Sequence, residues 1–150
     1  MEEKYQKLKE IAENALREAS PAHDINHVMR VYNLCLHLAK HEPDIDLDVL
    51  KTAALLHDIA RTEEDKKGHI HELNVDHAIL GAEMSEKILR ELAYSEEKIK
   101  RVKHCIVTHR FRSGNEPETK EACIRRDRNC KIIHNWGRMW SKNLLGYVDR

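Results

Sequence analysis

Three histidines in this sequence stand where a helical core would place apolar residues. His27 precedes Val31 by four positions and Leu34 by seven. His57 follows Ala53 by four and Leu50 by seven, and His109 follows Ile106 by three and Val102 by seven. Residues at such spacing share one face of a helix. His77 opens a further periodic stretch, and Asp58 sets a carboxylate directly after His57. A single histidine on an apolar stripe is ordinarily a hydrogen-bonded core residue. Several buried imidazoles beside one carboxylate are costly unless something pairs them. A divalent cation does so, taking nitrogen from neutral imidazole and oxygen from carboxylate. Facing helices of a bundle are a common way to build such a centre.

The elements that would carry these side chains are helices. Apolar residues recur at three-to-four spacing over 2–19, 24–40 and 46–61, and again over 75–93 and 96–110. In the fourth of these stretches Ile79, Ala82, Ile88, Leu89 and Leu92 are expected to face inward. Pro21 stops the first helix, because the residue before a proline avoids the helical region. Asp24 is placed to cap the second helix and Ser95 the fifth. Pro117 suits the first turn of a sixth. Thr62–Asn74 is polar and aperiodic and reads as a long loop. The fold class expected is all-α: a single-domain helical bundle of about five to six helices, with 1–122 as the helical domain. Residues 123–150 lose periodicity and read as a divergent or truncated segment packed on the same domain.

Composition narrows the function. The 150 residues carry 26 Lys+Arg against 26 Asp+Glu, a formal net charge of +0, and 11 His. That balance excludes a bulk nucleic-acid binder or a polybasic membrane-surface protein. A hydrophobic content of 41% excludes a disordered chain, and 5% aromatic residues with Gly 5 and Pro 3 disfavour a strand-rich one. No apolar run approaches the roughly 18–20 residues that span a bilayer. Cys35, Cys105, Cys123 and Cys130 form no C-x-x-C pair, so reduced thiols and a cytoplasmic location are expected. The acidic start, Met1-Glu-Glu-Lys-Tyr5, is not a signal peptide pattern.

Four strings, in order and spacing, carry a resemblance. They are Ala22-His-Asp-Ile-Asn-His27-Val-Met-Arg-Val31, Ala54-Leu-Leu-His57-Asp58-Ile59, His77-Ala-Ile-Leu-Gly-Ala82 and Ile106-Val-Thr-His109-Arg-Phe-Arg112. Over roughly residues 20–122 the chain resembles the HD superfamily of metal-dependent phosphohydrolases. The resemblance implies an all-helical domain and a divalent metal (Mn, Fe, Co, Ni, Zn or Mg, one ion or two). His27, His57 and Asp58 match the first three ligands. The fourth is an Asp in an Asp-Ala-Asp string, which here reads Asp127-Arg-Asn129. Asp127 matches its first acid and Asn129 stands at its second. Helical spacing allows either to face inward. An Asn oxygen coordinates without adding negative charge, so affinity falls if that position is the ligand.

The activity implied is hydrolysis of a phosphoester or phosphoanhydride of a small molecule such as a nucleotide. Asp58 both ligates and orients, and His77 and His109 bind substrate oxygens, assist the leaving group or hold a second ion. Arg110, directly after His109, supplies guanidinium to phosphate. Arg61 is placed to point at the mouth of the site, whereas Lys66 and Lys67 read as surface charges. Two alternatives use the same residues: a non-catalytic metal- or nucleotide-binding domain that has lost its fourth ligand, and an oxygen-using di-iron enzyme. A dimer is among the oligomeric states the sequence leaves open.

Overall fold

The computed structural model describes residues 1–67, 77–109 and 127–133. Its helices are α1 (Glu3–Ala15), α2 (Ile25–Ala39), α3 (Leu47–Leu56), α4 (Arg61–Lys67), α5 (His77–Glu91) and α6 (Glu96–Thr108), with a 3-10 turn at Pro21–His23 before α2. No strand occurs among the described residues. The protein is all-α, as its composition and periodicity predict.

The helix α3 is buried nearly all round. Val49, Leu50 and every residue from Thr52 to Leu56 are inaccessible. A helix without a polar face must lie inside, and α3 runs through the middle of the bundle, packed against α1, α2 and α6. Its two ends carry the chemistry. Asp46 caps the N-terminus, its side chain accepting the Val49 N–H at 3.1 Å, and His57 stands at the C-terminus. Asp24 caps α2 by accepting from the N–H groups of Asn26 (3.0 Å) and His27 (3.1 Å), and Ser95 caps α6 by accepting from Lys98 (3.3 Å). These caps satisfy N–H groups that the helix leaves unpaired.

Several expectations are corrected. The first helix ends at Ala15 rather than at residue 19. The Thr62 hydroxyl donates to the Ala15 carbonyl at 3.0 Å, and the chain tightens into an Ala19 N–H to Leu16 carbonyl bond. The third ends at Leu56 rather than near residue 61. The stretch read as loop from Thr62 onward begins within a short helix, Arg61–Lys67. Its run of good helix formers, with Glu63 and Glu64 in the first turn, suits a helix N-terminus, but a surface helix this short has no apolar period to reveal it. Ile79 is 55% exposed rather than inward. The buried stripe of α5 is His77, Ala78, Gly81, Ala82, Ser85 and Leu89, so small residues set that face. At Gly81 the backbone lies close to the turn after α3: a Cβ there would be 3.7 Å from the His57 carbonyl oxygen. The helix expected from Pro117 lies outside the described residues.

Residues 127–133 pack on this body. Cys130, Ile132 and Ile133 are buried, and both isoleucines join the main core. No helix among the described residues is long and apolar enough to cross a membrane.

Candidate metal centre

Asp58 is 2% exposed and lies in the turn between α3 and α4. Nitrogens of five histidines converge on its carboxylate. Nε2 of His57 is 3.2 Å from Oδ2 and Nε2 of His27, on α2, is 3.4 Å away. Nε2 of His77, at the start of α5, is 3.3 Å from Oδ1, and Nε2 of His109, at the end of α6, is 3.7 Å from it. His23, in the 3-10 turn, brings Nδ1 to 3.8 Å from Oδ2.

Backbone and side-chain acceptors set the ring orientations. Nδ1–H of His57 donates to the Ala54 carbonyl at 2.7 Å, and that of His109 to the Ile106 carbonyl. A carbonyl only accepts, so in both neutral rings Nε2 carries the lone pair. The His77 ring bonds Glu64 at 2.8 Å through Nδ1, and the same carboxylate accepts the His77 backbone N–H. Burial works to raise the Glu64 pKa, but the His77 donors and Arg61 bring it below the usual value. Ionised Glu64 therefore accepts the Nδ1 proton, which leaves Nε2 of His77 to face the centre. His77 and His109 then face each other through Nε2 atoms 3.2 Å apart.

With the rings neutral, the centre is a set of electron-pair donors directed at one point. Asp58 Oδ1 is buried and has no hydrogen-bond partner among the described residues. Burial of Asp58 works to raise its pKa, yet the surrounding histidines hold it far below the carboxylate range, so it is ionised. Burial works to lower the His57 pKa, and the adjacent carboxylate outweighs it and raises the pKa. The His109 pKa is lowered to about 4, chiefly by burial, which keeps that ring neutral at pH 7. In the metal-free chain imidazole protons offset this carboxylate; with the rings deprotonated, a divalent cation takes their place. Two donors each about 2.1 Å from one cation lie about 3.0 Å apart at a right angle and about 3.4 Å apart in a tetrahedron. The His57, His77 and His27 nitrogens lie at such separations from Asp58, and those of His109 and His23 a few tenths of an ångström farther. Two groups share Asp58: His23, His27 and Asp58, and Asp58, His77 and His109; His57 approaches Asp58 through the same Oδ2 as the first group.

Of the residues expected at the site, the structure brings together His27, His57, Asp58, His77 and His109. It does not bring Asp127 there. The Asp127 carboxylate accepts from Arg101 Nε at 2.9 Å, and Arg101 also bonds Asp46 at 2.9 Å. Asp46 caps the far end of α3, a helix of 10 residues, so Asp127 and His57 are separated by about 15 Å along the helix axis. Asn129 is engaged at the same end, its side chain exchanging hydrogen bonds with the Asp46 backbone at 3.2 Å in each direction. Arg110 lies outside the described residues. Arg61 sits with Nε 3.5 Å from Asp58 and Nη1 3.4 Å from Glu64, and Lys66 pairs with exposed Glu18.

Sequence reasoning missed two participants. Glu64 was hidden in a segment read as loop. His23 stands four residues before His27, but a turn rather than a helix makes the rings neighbours, 5.7 Å between centroids.

Comparison with known families bears on this arrangement directly: the model of the HD domain matches residues 24–129. The chain belongs to the HD domain family. Ribonuclease Y of Chloroflexus aurantiacus is 32% identical over 100 residues, which is 67% of this chain and 16% of that protein. The chain therefore spans a small part of the length of the curated relative it matches. The crystal structure of a predicted HD superfamily hydrolase from an uncultured Thermotogales bacterium superposes with a TM-score of 0.62 at 24% identity, covering 96% of this chain and 91% of that one. This second likeness is one of fold. Within the HD family's helical frame, the His57-Asp58 pair stands at the convergence of five histidines.

Proposed function

We propose that this HD domain is a divalent-metal-dependent phosphohydrolase acting on a small phosphorylated molecule such as a nucleotide. The observation that carries the reading is the buried, ionised Asp58, with histidine Nε2 atoms converging on both of its oxygens. His27, His57 and Asp58 are the residues proposed to hold the ion, with His77 and His109 holding a second or meeting substrate oxygens. When bound, such a cation supplies Lewis acidity toward a phosphoryl oxygen and lowers the pKa of a water ligand.

The protein's own groups do the rest. Ala54 and Ile106 carbonyls and the Glu64 carboxylate hold three rings with Nε2 inward, so no reorientation is needed when substrate arrives. His109, kept neutral at pH 7 by burial, presents its Nε2 lone pair to the second ion. Arg61 places positive charge beside Asp58, and Arg110 is the group proposed to meet the substrate phosphate.

The likeness to a Ribonuclease Y favours a second substrate reading, in which the bond broken is an RNA phosphodiester. One experiment separates these. Metal-free protein is reloaded with Mn²⁺, Co²⁺, Ni²⁺, Zn²⁺ or Mg²⁺ and assayed on nucleoside mono-, di- and triphosphates and on a short RNA. Release of inorganic phosphate from nucleotides, lost in His57→Ala and kept in His37→Ala, is the expected result. Cleavage of RNA alone moves the assignment to the second reading. Metal uptake with no turnover of any phosphoester makes the domain a binding module.

A further inference from the structure

The proposed metal shell has one weak side. His27, His57 and Asp58 supply three donors, and the acid expected as the fourth, Asp127, is committed elsewhere. Its Oδ2 accepts from Arg101 Nε at 2.9 Å, and its Oδ1 accepts from the Asn129 backbone N–H at 3.0 Å and from Arg101 Nη2 at 3.4 Å. Turning it toward the histidines would break all three bonds and leave Arg101 with Asp46 alone. Asn129 is equally fixed through the Asp46 backbone. These two residues form an anchor that ties the segment 127–133 to the N-terminal end of α3.

A different donor already faces the open side. Although the His23 side chain is 32% exposed, its Nδ1 is buried and has no hydrogen-bond partner among the described residues. That nitrogen points at Asp58 Oδ2 from 3.8 Å, and the His23 ring meets His27 edge-on. The ring is held in place from both sides. Pro21 restricts the backbone of the 3-10 turn, the His23 N–H bonds the Ser20 carbonyl at 2.9 Å, and Asp24 is fixed as the cap of α2. A buried ring nitrogen that makes no hydrogen bond among the described residues and lies 3.8 Å from a buried carboxylate is placed to share a cation with it.

We propose that His23 is a metal ligand of this chain, completing with His27, His57 and Asp58 a site of three imidazoles and one carboxylate, and that Asp127 is an anchoring residue. The proposal rests on the metal-dependent reading above. Its chemical consequence is selectivity. A nitrogen-rich shell with one negative charge favours Zn²⁺, Co²⁺ or Ni²⁺ over Mg²⁺, which prefers oxygen donors and retains its waters.

The test is titration of the metal-free chain with Co²⁺, followed by calorimetry and by the visible d–d bands, which report the donor set. The expected result is that His23→Ala weakens Co²⁺ binding at least about tenfold and shifts the bands, while its apo melting temperature stays near that of the parent. Asp127→Asn is expected to keep Co²⁺ affinity and band positions and to lower the melting temperature. A hundredfold excess of Mg²⁺ should leave the bands unchanged. Parent-like affinity and spectrum in His23→Ala overturn the His23 assignment alone, as does loss of Co²⁺ in Asp127→Asn to the extent seen in His27→Ala. A parent chain that binds no Co²⁺ overturns this proposal together with the metal-dependent reading.

Discussion

At the scale of single residues, Asp58 and its neighbours illustrate how a site is assembled from groups that would be destabilising one at a time. A buried carboxylate is costly, and so is each imidazole nitrogen without a donor. Their orientation rests on residues that touch no substrate. Glu64 is the clearest case, since it bonds both the backbone N–H and the Nδ1 of His77. Replacing it with Ala removes the acceptor that keeps the His77 proton on Nδ1. The Nε2–H form should then become populated, visible in the ¹⁵N shifts of the ring, and divalent-metal affinity should fall about 10- to 100-fold by calorimetry. An unchanged ring tautomer in Glu64→Ala would show that Glu64 only ties α4 to α5.

At the scale of elements, three helices meet at Asp48. Its carboxylate accepts from the Tyr5 hydroxyl at 2.6 Å and pairs with Lys4 and Lys98, each at 2.6 Å, joining α1, α3 and α6. Burial works to raise its pKa, and these three partners lower it to about 2. The unfolded value is about 3.9. Folding thus favours the ionised form, so the stabilisation is complete above the unfolded pKa and is lost as pH falls toward 2. Both lysines are partly exposed and screened by solvent, so Asp48→Asn should cost only about 1 kcal/mol at pH 7. Urea unfolding of the two proteins at pH 7 and near pH 2 should show this gap closing with acid. Ala93 ends α5 at φ 60, with Tyr94 N–H bonded to the Leu89 carbonyl at 3.0 Å and Ala93 N–H to that of Arg90 at 3.1 Å. This is the helix ending that glycine normally makes, because a Cβ is strained there. Ala93→Gly should therefore stabilise by about 0.5–1 kcal/mol in the same measurement.

At the scale of the whole molecule, the metal would join elements that are otherwise held by packing. His23 and His27 enter from before and within α2, Asp58 from the turn after α3, His77 from α5 and His109 from α6. An ion that binds only the folded chain stabilises it by about 2.7 kcal/mol at a concentration a hundred times its Kd. For a chain of this size the melting temperature should rise by roughly 5–10 °C. The rise should be present at pH 7.5 and smaller at pH 5.5, because protons compete with the cation for His57, whose pKa the adjacent carboxylate raises. Scanning fluorimetry with Co²⁺ at both pH values checks it. An equal rise at both would point to a carboxylate site away from the histidines.

The helical class, the positions of α2, α5 and α6 and the inward stations of His57, His77 and His109 were legible in the sequence. Each depends on local chemistry: period, cap or turn residue. The same is true of Asp24 and Ser95 as caps. What local chemistry could not decide was which donors share a point in space. His23 and Glu64 reach the centre from a 3-10 turn and a short polar helix, neither of which has an apolar period. Asp127, though it matches an acid of the family's string, is drawn to the opposite end of α3 by Arg101, a partner 26 positions earlier in the chain. Spacing along one helix determines which face a residue occupies. Only the packing of α3 between its neighbours decides which carboxylate meets the histidines and which meets an arginine, because that choice is made by distances between elements.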